Sequence, residues 1–319
     1  MEIKDLLSSK KTELKDTIFQ WLSKSANNIQ IKDGVILVNN QDDYAQNFGL
    51  QWNEFQLTQF DSDSGLPLTE DRLKECSEWD LDDLNGKLVL EIGGGAGRFT
   101  EILLKYGANV VSLDLSSAVF ANKKNNNADN VVFINGSFDV LAGLDNTFDY
   151  VFCYGVAQHT PNPRLIYKFC CDLAKPNGKI SIDHYIKIWY PSPFYQPKFI
   201  WRPITKNMSP EKLLSIIKFY IPKYIKFDTF LIKIFGRKVG GVIRGCIPIP
   251  CWNYYGIPNI DQSEDNLIEW AIMDTFDALG ATYDFPARPN TIKRWGRDIN
   301  IKEFNVKKGG NGVVFNALK

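Results

Sequence analysis

The sequence predicts an α/β domain built on a doubly wound, mainly parallel sheet. Short apolar strands alternate with helices from residue 88 to residue 185, which gives five strands and at least four crossings. A glycine-rich loop, GGGAG, directly follows the first of these strands. Such alternation is typical of a parallel sheet covered by helices on both faces. The chain has 319 residues, so further segments must flank this domain.

The residues before the alternating region predict a helix, a hairpin and a lid. Apolar residues at helical spacing predict an amphipathic helix over residues 3–25. In the hairpin, IQI and VILV flank Asp33-Gly34, and this step supplies the positive φ of a tight turn. Residues 42–64 mix aromatic and polar side chains with neither period, so an ordered binding segment is expected there. Residues 69–84 are expected to be helical.

The regular alternation stops after residue 185. Nine prolines and many aromatic residues lie between residues 186 and 260, with a helical stretch near 210–235, so we expect an inserted cap. A helix-like run at 263–280 and the helix TIKRWGRD follow. IKEFNVKK and GVVFNALK flank a GGN turn, which predicts an antiparallel hairpin at the edge of the sheet.

Four units are therefore expected. They are an N-terminal helix, hairpin and lid segment (1–84), a Rossmann-like core (85–188), an inserted cap that forms the substrate region (189–285), and a C-terminal helix and hairpin that complete the core sheet (286–319).

The formal net charge of zero conceals two segments of opposite charge. Residues 42–91 contain 13 acidic and 3 basic residues, whereas residues 186–245 contain 12 basic and 2 acidic residues. This asymmetry favours either a polyanionic partner or two segments that face each other across a cleft.

Composition narrows the class of protein. Six cysteines form no CxxC pair and only two histidines are present, so no metal site is predicted and a reduced, cytoplasmic protein is expected. The N-terminus carries charges every few residues, and no later apolar run has the length of a membrane span, so neither a signal peptide nor a spanning segment is expected.

The glycine loop has two acidic neighbours. Gly93, Gly95 and Gly97 lie between a strand and a helix, where missing side chains allow a ligand to approach the backbone amides. Glu91 precedes the loop, and Asp114 ends the next strand. A carboxylate at that strand tip accepts both hydroxyls of a ribose, so a nucleoside site is predicted.

The loop departs from the dinucleotide pattern. After Gly93 and Gly95, the third glycine position of G-x-G-x-x-G is Arg98, which argues against NAD. Glu91 would also repel a pyrophosphate, whereas it suits a ligand that carries an ammonium group, such as S-adenosylmethionine.

Five motifs extend this pattern: EIGGGAGRF, VVSLDLS, VVFINGS, NTFDYVFCYGVAQHTPNP and KPNGKISIDHY. In this order and spacing, the sequence from about Leu88 to Tyr185, and again at 291–319, resembles the class I S-adenosylmethionine-dependent methyltransferases, in particular their small-molecule branch. The resemblance implies a seven-stranded Rossmann-like sheet whose last strand is antiparallel, with S-adenosylmethionine at the carboxyl ends of the first four strands.

The resemblance also implies cofactor contacts. The glycine loop would hold the methionine part, Asp114 the ribose and Leu115 one face of the adenine, and Tyr154 is a further candidate. Where the family usually places an acid for the adenine amino group, this chain has Ser137 and Phe138. The adenine contact is therefore open between the Ser137 hydroxyl, a backbone group near Phe138, and Asp139.

Both histidines follow strands at the predicted active edge. Transfer to an aliphatic hydroxyl requires a proton acceptor, and a positioned imidazole serves near neutral pH. His159 follows the fourth strand of the alternating region and His184 follows the fifth, so both are candidate bases. For each, a structural role in the loop is the alternative.

Candidate acceptor contacts come from three regions: Trp52 in the lid, Tyr185 after the fifth strand, and Asp274, Asp277 and Tyr283 before the final helix. For all five, packing or loop structure is the alternative. The cationic residues of the cap would suit a phosphorylated, nucleotide-linked or carboxylated acceptor. They are Lys198, Arg202, Lys206, Arg237, Lys238 and Arg244.

The expected function is methyl transfer to an oxygen, with nitrogen as the less favoured atom, of a small polar acceptor such as a sugar or its phosphorylated or nucleotide-linked form. Three alternatives are open. The first is a non-catalytic cofactor-binding or interaction protein, whose basic aromatic cap would contact a protein or a membrane surface. The second is a hydride-transfer enzyme that binds NAD, and the third is a nucleic-acid methyltransferase. Against the third, YGVAQH replaces the DPPY-like tetrad and no basic RNA-binding appendage is visible, so no nucleic-acid partner is expected. The sequence leaves the oligomeric state open.

Overall fold

The computed structural model describes residues 13–25, 29–38, 43–187, 197–245, 247–255, 257 and 263–319. The predicted start of the N-terminal helix, residues 3–12, lies outside these ranges.

Helices and strands alternate through the middle of the chain as expected. The helices in the described ranges are α1 (Glu13–Ser25), α2 (Gln46–Glu54), α3 (Asp61–Ser64), α4 (Leu68–Ser77), α5 (Arg98–Lys105), α6 (Ala118–Asn125), α7 (Pro163–Leu173), α8 (Lys198–Thr205), α9 (Pro210–Gly245), α10 (Glu264–Gly280) and α11 (Pro289–Asp298). The strands are β1 (Ile29–Lys32), β2 (Val35–Val38), β3 (Leu88–Ile92), β4 (Asn109–Asp114), β5 (Val131–Asn135), β6 (Phe148–Cys153), β7 (Ala174–Tyr185), β8 (Glu303–Gly309) and β9 (Gly312–Leu318).

All of these strands join one sheet in the order β1-β2-β5-β4-β3-β6-β7-β9-β8. Strands β3 to β7 are mutually parallel, and β9 runs antiparallel to both β7 and β8. The doubly wound α/β class and the antiparallel last strand are therefore confirmed. The expected count of seven strands is wrong, because the N-terminal hairpin joins the sheet through β2, which pairs in parallel with β5. This pairing satisfies the backbone groups that β5 would otherwise expose at an open edge.

The central strands are buried on both faces. Leu88, Leu90 and Ile92 pack on one side of β3, against α1 and α7, and Val89 packs on the other, against α4 and α5. This alternation follows from the two-residue period of a strand, and it explains why the predicted strands read as continuous apolar runs. The carboxyl ends of β3 to β7 consequently open at one edge of the sheet.

The lid segment (residues 43–64) is more regular than expected, since it contains α2 and α3. These helices form without a periodic apolar pattern because tertiary contacts stabilise them: Phe55 is buried against α9 and α10, and Trp52 packs on the glycine loop. The predicted helix at 69–84 is two elements, because α4 ends where Glu78 takes a left-handed φ of 59°. A short 3-10 helix then covers Leu81–Leu84.

The cap (residues 189–285) is mainly helical in its described part. Its long helix α9 is broken at Gly236, where φ is 74° and ψ is 163°. Before the break, α9 packs through Leu213, Ile217 and Ile221 onto α10 and the lid segment. In the described ranges, no helix combines the length and apolar character needed to span a membrane.

Candidate functional site

A cavity of about 250 Å³ lies at the carboxyl edge of the parallel strands. Its walls are the glycine loop, the tips of β4, β5 and β6, the lid segment and part of helix α10. Because topology brings these loops to one edge, the position agrees with ligand binding at the carboxyl ends of an open α/β sheet.

The glycine loop has a conformation that side chains would prevent. Gly93, Gly95 and Gly97 have φ values of 77°, 54° and 101°, in the left-handed region. A Cβ atom on Gly93 would lie 2.0 Å from Cγ2 of Val156, and one on Gly95 would lie 3.3 Å from Nε1 of Trp52. The backbone of this loop therefore forms the floor of the cavity at close range.

Asp114 presents a fixed carboxylate next to that floor. Its Oδ2 accepts a hydrogen bond from the Gly95 amide at 2.8 Å, and its Oδ1 accepts from both the backbone and the hydroxyl of Ser116 at 2.7 Å. The side chain is thereby locked before any ligand binds. Oδ1 already accepts two hydrogen bonds, so Oδ2 keeps the lone pair that can accept one from a ribose hydroxyl.

Glu91 lies beneath the glycine loop instead of in the cavity. It is fully buried, it accepts a hydrogen bond from Thr100, and it is absent from the cavity lining. Asn122 Nδ2 continues the network to the hydroxyls of Thr100 and Ser112, at 2.9 and 3.0 Å. The expected contact between Glu91 and the ammonium group of the cofactor is thus not what the structure shows. The residue braces the loop from below.

This burial predicts a pH-dependent stability. Burial raises the pKa of Glu91 to about 7 from the usual 4.5. Between these values the folded protein holds a proton that the unfolded chain releases, so the free energy of unfolding falls as pH rises through the window. We expect Glu91→Gln to remove this fall. Relative to wild type, the variant should gain up to about 3 kcal/mol between pH 4.5 and 7.5, by urea denaturation.

The matched control for this measurement is Glu75→Gln, which changes an exposed carboxylate on the same side of the sheet. It makes the same chemical change without touching the buried network beneath the glycine loop. Parallel pH profiles for wild type and Glu91→Gln would contradict the assignment.

Two arginines line the cavity beside the glycine loop. Arg72 is held by Asp183, which also accepts from the Gly155 amide. The guanidinium of Arg98 lies 4.8 Å from the centroid of the Phe99 ring. Burial, and then the charge of Arg72, lower the pKa of Arg98 to about 9. Two neighbouring cations in a partly closed site favour an anion between them, such as the carboxylate of a bound methionine group.

His159 is positioned by the loop that follows α10. Its Nδ1 lies 2.8 Å from the carbonyl oxygen of Tyr283. A carbonyl only accepts, so Nδ1 carries the proton and Nε2 carries the lone pair when the ring is neutral. Nε2 has no hydrogen-bond partner among the described residues and lies 4.0 Å from Oδ1 of Asp277. The ring packs between Phe48 and Tyr185, and it lines the cavity.

His184 has a different environment from the one expected of a base. It is fully buried and lies outside the cavity lining. Its Nε2 donates to the carbonyl of Phe285 at 2.8 Å, and its Nδ1 lies 3.3 Å from the hydroxyl of Tyr167. Both ring nitrogens are engaged, and burial lowers the pKa. His184 is therefore withdrawn as a candidate base, since it anchors the same loop that orients His159.

Helix α10 contributes two carboxylates to the cavity lining. The Tyr185 hydroxyl donates to Oδ2 of Asp277 at 2.7 Å, and the Tyr254 hydroxyl donates to Asp274. Burial raises the pKa of Asp274 to about 6. These four side chains and His159 form an acceptor wall that offers hydrogen-bond donors, acceptors and negative charge.

Most residues predicted for the site line this one cavity. They are Trp52, Gly93, Gly95, Gly97, Asp114, Leu115, Ser137, Phe138, Tyr154, His159, Tyr185, Asp274 and Asp277. Tyr283 contributes its backbone carbonyl to His159, while its side chain is not part of the lining. Tyr154 bonds to Ser181 at 2.6 Å, so its hydroxyl is already engaged.

Several lining residues had no signal in the sequence. Tyr254 comes from the cap and belongs to no motif, and Asn311 belongs to the GGN turn between β8 and β9, which the sequence marked as a turn and not as part of the site. Tyr44 and Phe48 lie in the segment expected to bind, although their individual contacts had no pattern to reveal them.

The cap cations do not face the cavity where the structure describes them. Lys198 donates to Asp284 at 2.8 Å, and Arg202 donates to the carbonyls of Ala278 and Ala281. Lys206 and Lys238 are exposed and outside the lining. The structure does not describe the side chains of Arg237 and Arg244.

Comparison with known proteins agrees with this site. A family model described as a methyltransferase domain matches residues 90–182. The ubiquinone biosynthesis O-methyltransferase of Coxiella burnetii is 34% identical over 100 residues, which cover 30% of this chain and 43% of that protein. The enzyme of the same name from Pasteurella multocida is 31% identical over 122 residues, covering 33% and 50%. This chain thus spans half or less of the length of these curated relatives.

Among solved structures, an S-adenosylmethionine-dependent methyltransferase from Aquifex aeolicus is 15% identical, with a TM-score of 0.41, over 87% of this chain and 98% of that chain.

The residues of the cavity fit S-adenosylmethionine. The glycine floor admits close approach of a ligand, Asp114 presents two fixed oxygens, and the paired Arg72 and Arg98 supply positive charge beside them. The glycine floor, Asp114 and Arg98 all lie within residues 90–182, the region that the family model matches. Arg72 lies outside that region, in helix α4. The chain therefore carries, over residues 90–182, a methyltransferase domain of the class I S-adenosylmethionine-dependent family.

Proposed function

We propose that the whole chain is an O-methyltransferase that transfers the methyl group of S-adenosylmethionine to a hydroxyl of a small polar acceptor. The observation that carries this proposal is the state of His159, which lines the cavity: its Nδ1 is occupied by a backbone carbonyl, while its buried Nε2 has no partner among the described residues. An imidazole held in that tautomer is suited to accept a proton from an attacking hydroxyl.

The surrounding residues support this proton transfer. When bound, S-adenosylmethionine supplies an activated methyl group and its own leaving group, so the protein must align the acceptor and remove its proton. Nε2 of His159 takes the proton, while Nδ1–H keeps its bond to Tyr283 and holds the ring in place. Asp277, 4.0 Å from Nε2, stabilises the imidazolium that forms.

The acceptor wall favours a compound rich in hydroxyl groups. Asp274 and Asp277 accept hydrogen bonds, and they disfavour a phosphate at the same place because like charges repel. The cap cations described above point elsewhere, so a phosphorylated or nucleotide-linked acceptor would have to extend its charge away from this wall. A sugar or sugar derivative with its reacting hydroxyl between His159 and Asp277 fits these requirements.

The names of the relatives agree with oxygen as the attacked atom, since those from Coxiella and Pasteurella are called O-methyltransferases. Their overlap covers only 30% and 33% of this chain, so the acceptor is not carried over from them.

A screen of acceptors tests the proposal. The protein is incubated with S-adenosylmethionine and a panel of sugars, sugar phosphates, sugar nucleotides, phenolic alcohols and amines, and S-adenosylhomocysteine release is measured together with product mass. We expect turnover with a hydroxyl compound and an O-linked methyl group in the product. Turnover restricted to amines would contradict the oxygen assignment. Calorimetric binding of cofactor without turnover on any member would favour the non-catalytic alternative.

A further inference from the structure

Helix α9 carries an apolar stripe that faces solvent. We define the aromatic stripe by the five large apolar side chains on this face before the Gly236 break: Ile216, Phe219, Phe227, Phe230 and Ile234. Their exposed fractions are 43%, 71%, 45%, 57% and 55%. Exposed large apolar groups are common singly, but a contiguous row of them on one element marks an interaction surface.

The spacing of the aromatic stripe places it on one face of the helix. Successive members are three, eight, three and four residues apart, which at 3.6 residues per turn keeps them within about 80° of one another. The opposite face of α9, with Leu213, Ile217 and Ile221, is buried against α10 and the lid segment. The stripe is therefore a second apolar face, about 27 Å long, that the packing of the cap leaves uncovered in the described chain.

Positive charge accompanies this face. From residue 212 to residue 235 the chain has five lysines and a single acid, Asp228, which is buried. Lys212 and Lys223 are exposed and project from the same side of the helix as the stripe. The ammonium of Lys223 lies 3.8 Å from the centroid of the Phe219 ring, at the most exposed member of the stripe.

We propose that α9 docks on an anionic membrane surface, with the aromatic stripe inserted at the headgroup boundary and the lysines on lipid phosphates. An amphipathic helix with phenylalanines on one face, lysines at its margins and no capacity to span the bilayer is the form that lies in the membrane interface. Lysine stems extend along apolar surface while their charges reach the headgroups. Lys218 and Lys226 are paired with Glu54 and Glu264, so the attraction to anionic lipid comes mainly from the lysines beside the stripe, Lys212 and Lys223.

Charge complementarity favours lipid over a second copy of this chain. In a twofold dimer formed through the aromatic stripe, the same surface would meet itself, so the lysines of one protomer would lie against those of the other. Against an anionic membrane surface, the same lysines are attracted instead of repelled.

The docking face and the site share a structural support. Helix α10, on which the buried face of α9 rests, supplies Asp274 and Asp277 to the acceptor wall. Docking would therefore hold the acceptor side of the cavity at a fixed height above the membrane. The inference itself requires no catalysis, so it can be tested independently of the proposed function.

Vesicle sedimentation tests the inference. The wild-type chain is mixed with vesicles of phosphatidylglycerol and phosphatidylcholine, and with vesicles of phosphatidylcholine alone. We expect at least tenfold stronger partition onto the anionic vesicles, weakened by salt. The triple variant Phe219→Ser/Phe227→Ser/Phe230→Ser should lower this partition at least tenfold. Its matched control, Ile31→Ser/Leu165→Ser, replaces two equally exposed apolar side chains on the core and should bind as wild type does.

A second pair of variants keeps the test valid if the triple variant folds poorly. Lys212→Glu/Lys223→Glu should also lose at least tenfold in partition, whereas Lys87→Glu/Lys124→Glu, on the core, should not. Calorimetric affinity for S-adenosylhomocysteine reports the fold of every variant. Partition of wild type no stronger onto anionic than onto neutral vesicles would overturn the inference. So would a dimer that the triple variant dissociates while vesicle binding is absent, because a second copy would then cover the stripe.

Discussion

Replacement of His159 by alanine is expected to lower kcat by about 10²- to 10⁴-fold, the usual contribution of a positioned general base. The loss should fall on kcat and not on cofactor affinity, because the methionine, ribose and adenine contacts that we propose come from the glycine loop and the tips of β4 and β5. Calorimetry with S-adenosylhomocysteine should give a Kd within about threefold of wild type, since no cofactor contact is removed.

Asparagine at the same position separates the base from the scaffold. The side-chain amide introduced by His159→Asn can donate to the Tyr283 carbonyl as Nδ1 does, yet it has no basic nitrogen in place of Nε2. If His159 is the base, His159→Asn should be as inactive as His159→Ala. If the ring serves only to hold the loop, His159→Asn should restore most of the activity, and that result would remove the residue from the proposed mechanism.

The cofactor half of the site was predictable from the sequence because its geometry is local. Gly93, Gly95 and Gly97 form one strand-to-helix turn, and Asp114 ends the neighbouring strand, so the topology alone brings them together. A parallel sheet fixes which strand tips are adjacent, and a pattern of strands therefore fixes which residues meet.

The acceptor half depends on contacts between distant segments, which no local pattern encodes. His159 is oriented by a carbonyl 124 positions later in the chain, and Asp274 is bonded to a tyrosine from the cap. The two histidines looked equivalent in sequence, since both follow strands at the same edge. Hydrogen bonding and position distinguish them: His184 has both nitrogens engaged and lies outside the cavity lining, whereas His159 lines the cavity and its Nε2 has no partner among the described residues.

Two further features, the side-chain direction of Glu91 and the pairing of the N-terminal hairpin, also depend on contacts between distant segments. The position of Glu91 at the end of β3 was correct, but the direction of its side chain is set by Thr100 on the helix that packs behind the loop. The hairpin was recognised from its turn, but its pairing with β5 depends on an edge that exists only after the sheet has formed.

Asp114→Ala is expected to raise the Kd for S-adenosylmethionine by about 10²-fold or more. A hydrogen bond to a charged group contributes about 1.5–3 kcal/mol, and the variant removes the Oδ2 acceptor from the ribose. It also releases the Gly95 amide and Ser116, which the carboxylate holds at 2.7 to 2.8 Å, so the loop loses part of its preorganisation. Asp114→Asn, which keeps one acceptor oxygen, should show an intermediate loss.

The matched control is Asp139→Ala. Asp139 is exposed, follows the tip of β5, and does not line the cavity, although the sequence left it open as an adenine contact. Its removal should change the Kd by less than about twofold, well under the 1.4 kcal/mol that corresponds to a tenfold change.

A loss of affinity at Asp139→Ala comparable to that at Asp114→Ala would return the adenine contact to the Asp139 carboxylate. A Kd for Asp114→Ala within threefold of wild type would place the ribose elsewhere. The Gly95 amide links the Asp114 carboxylate to the glycine loop. An unchanged Kd for Asp114→Ala would therefore also require a different position for the methionine group.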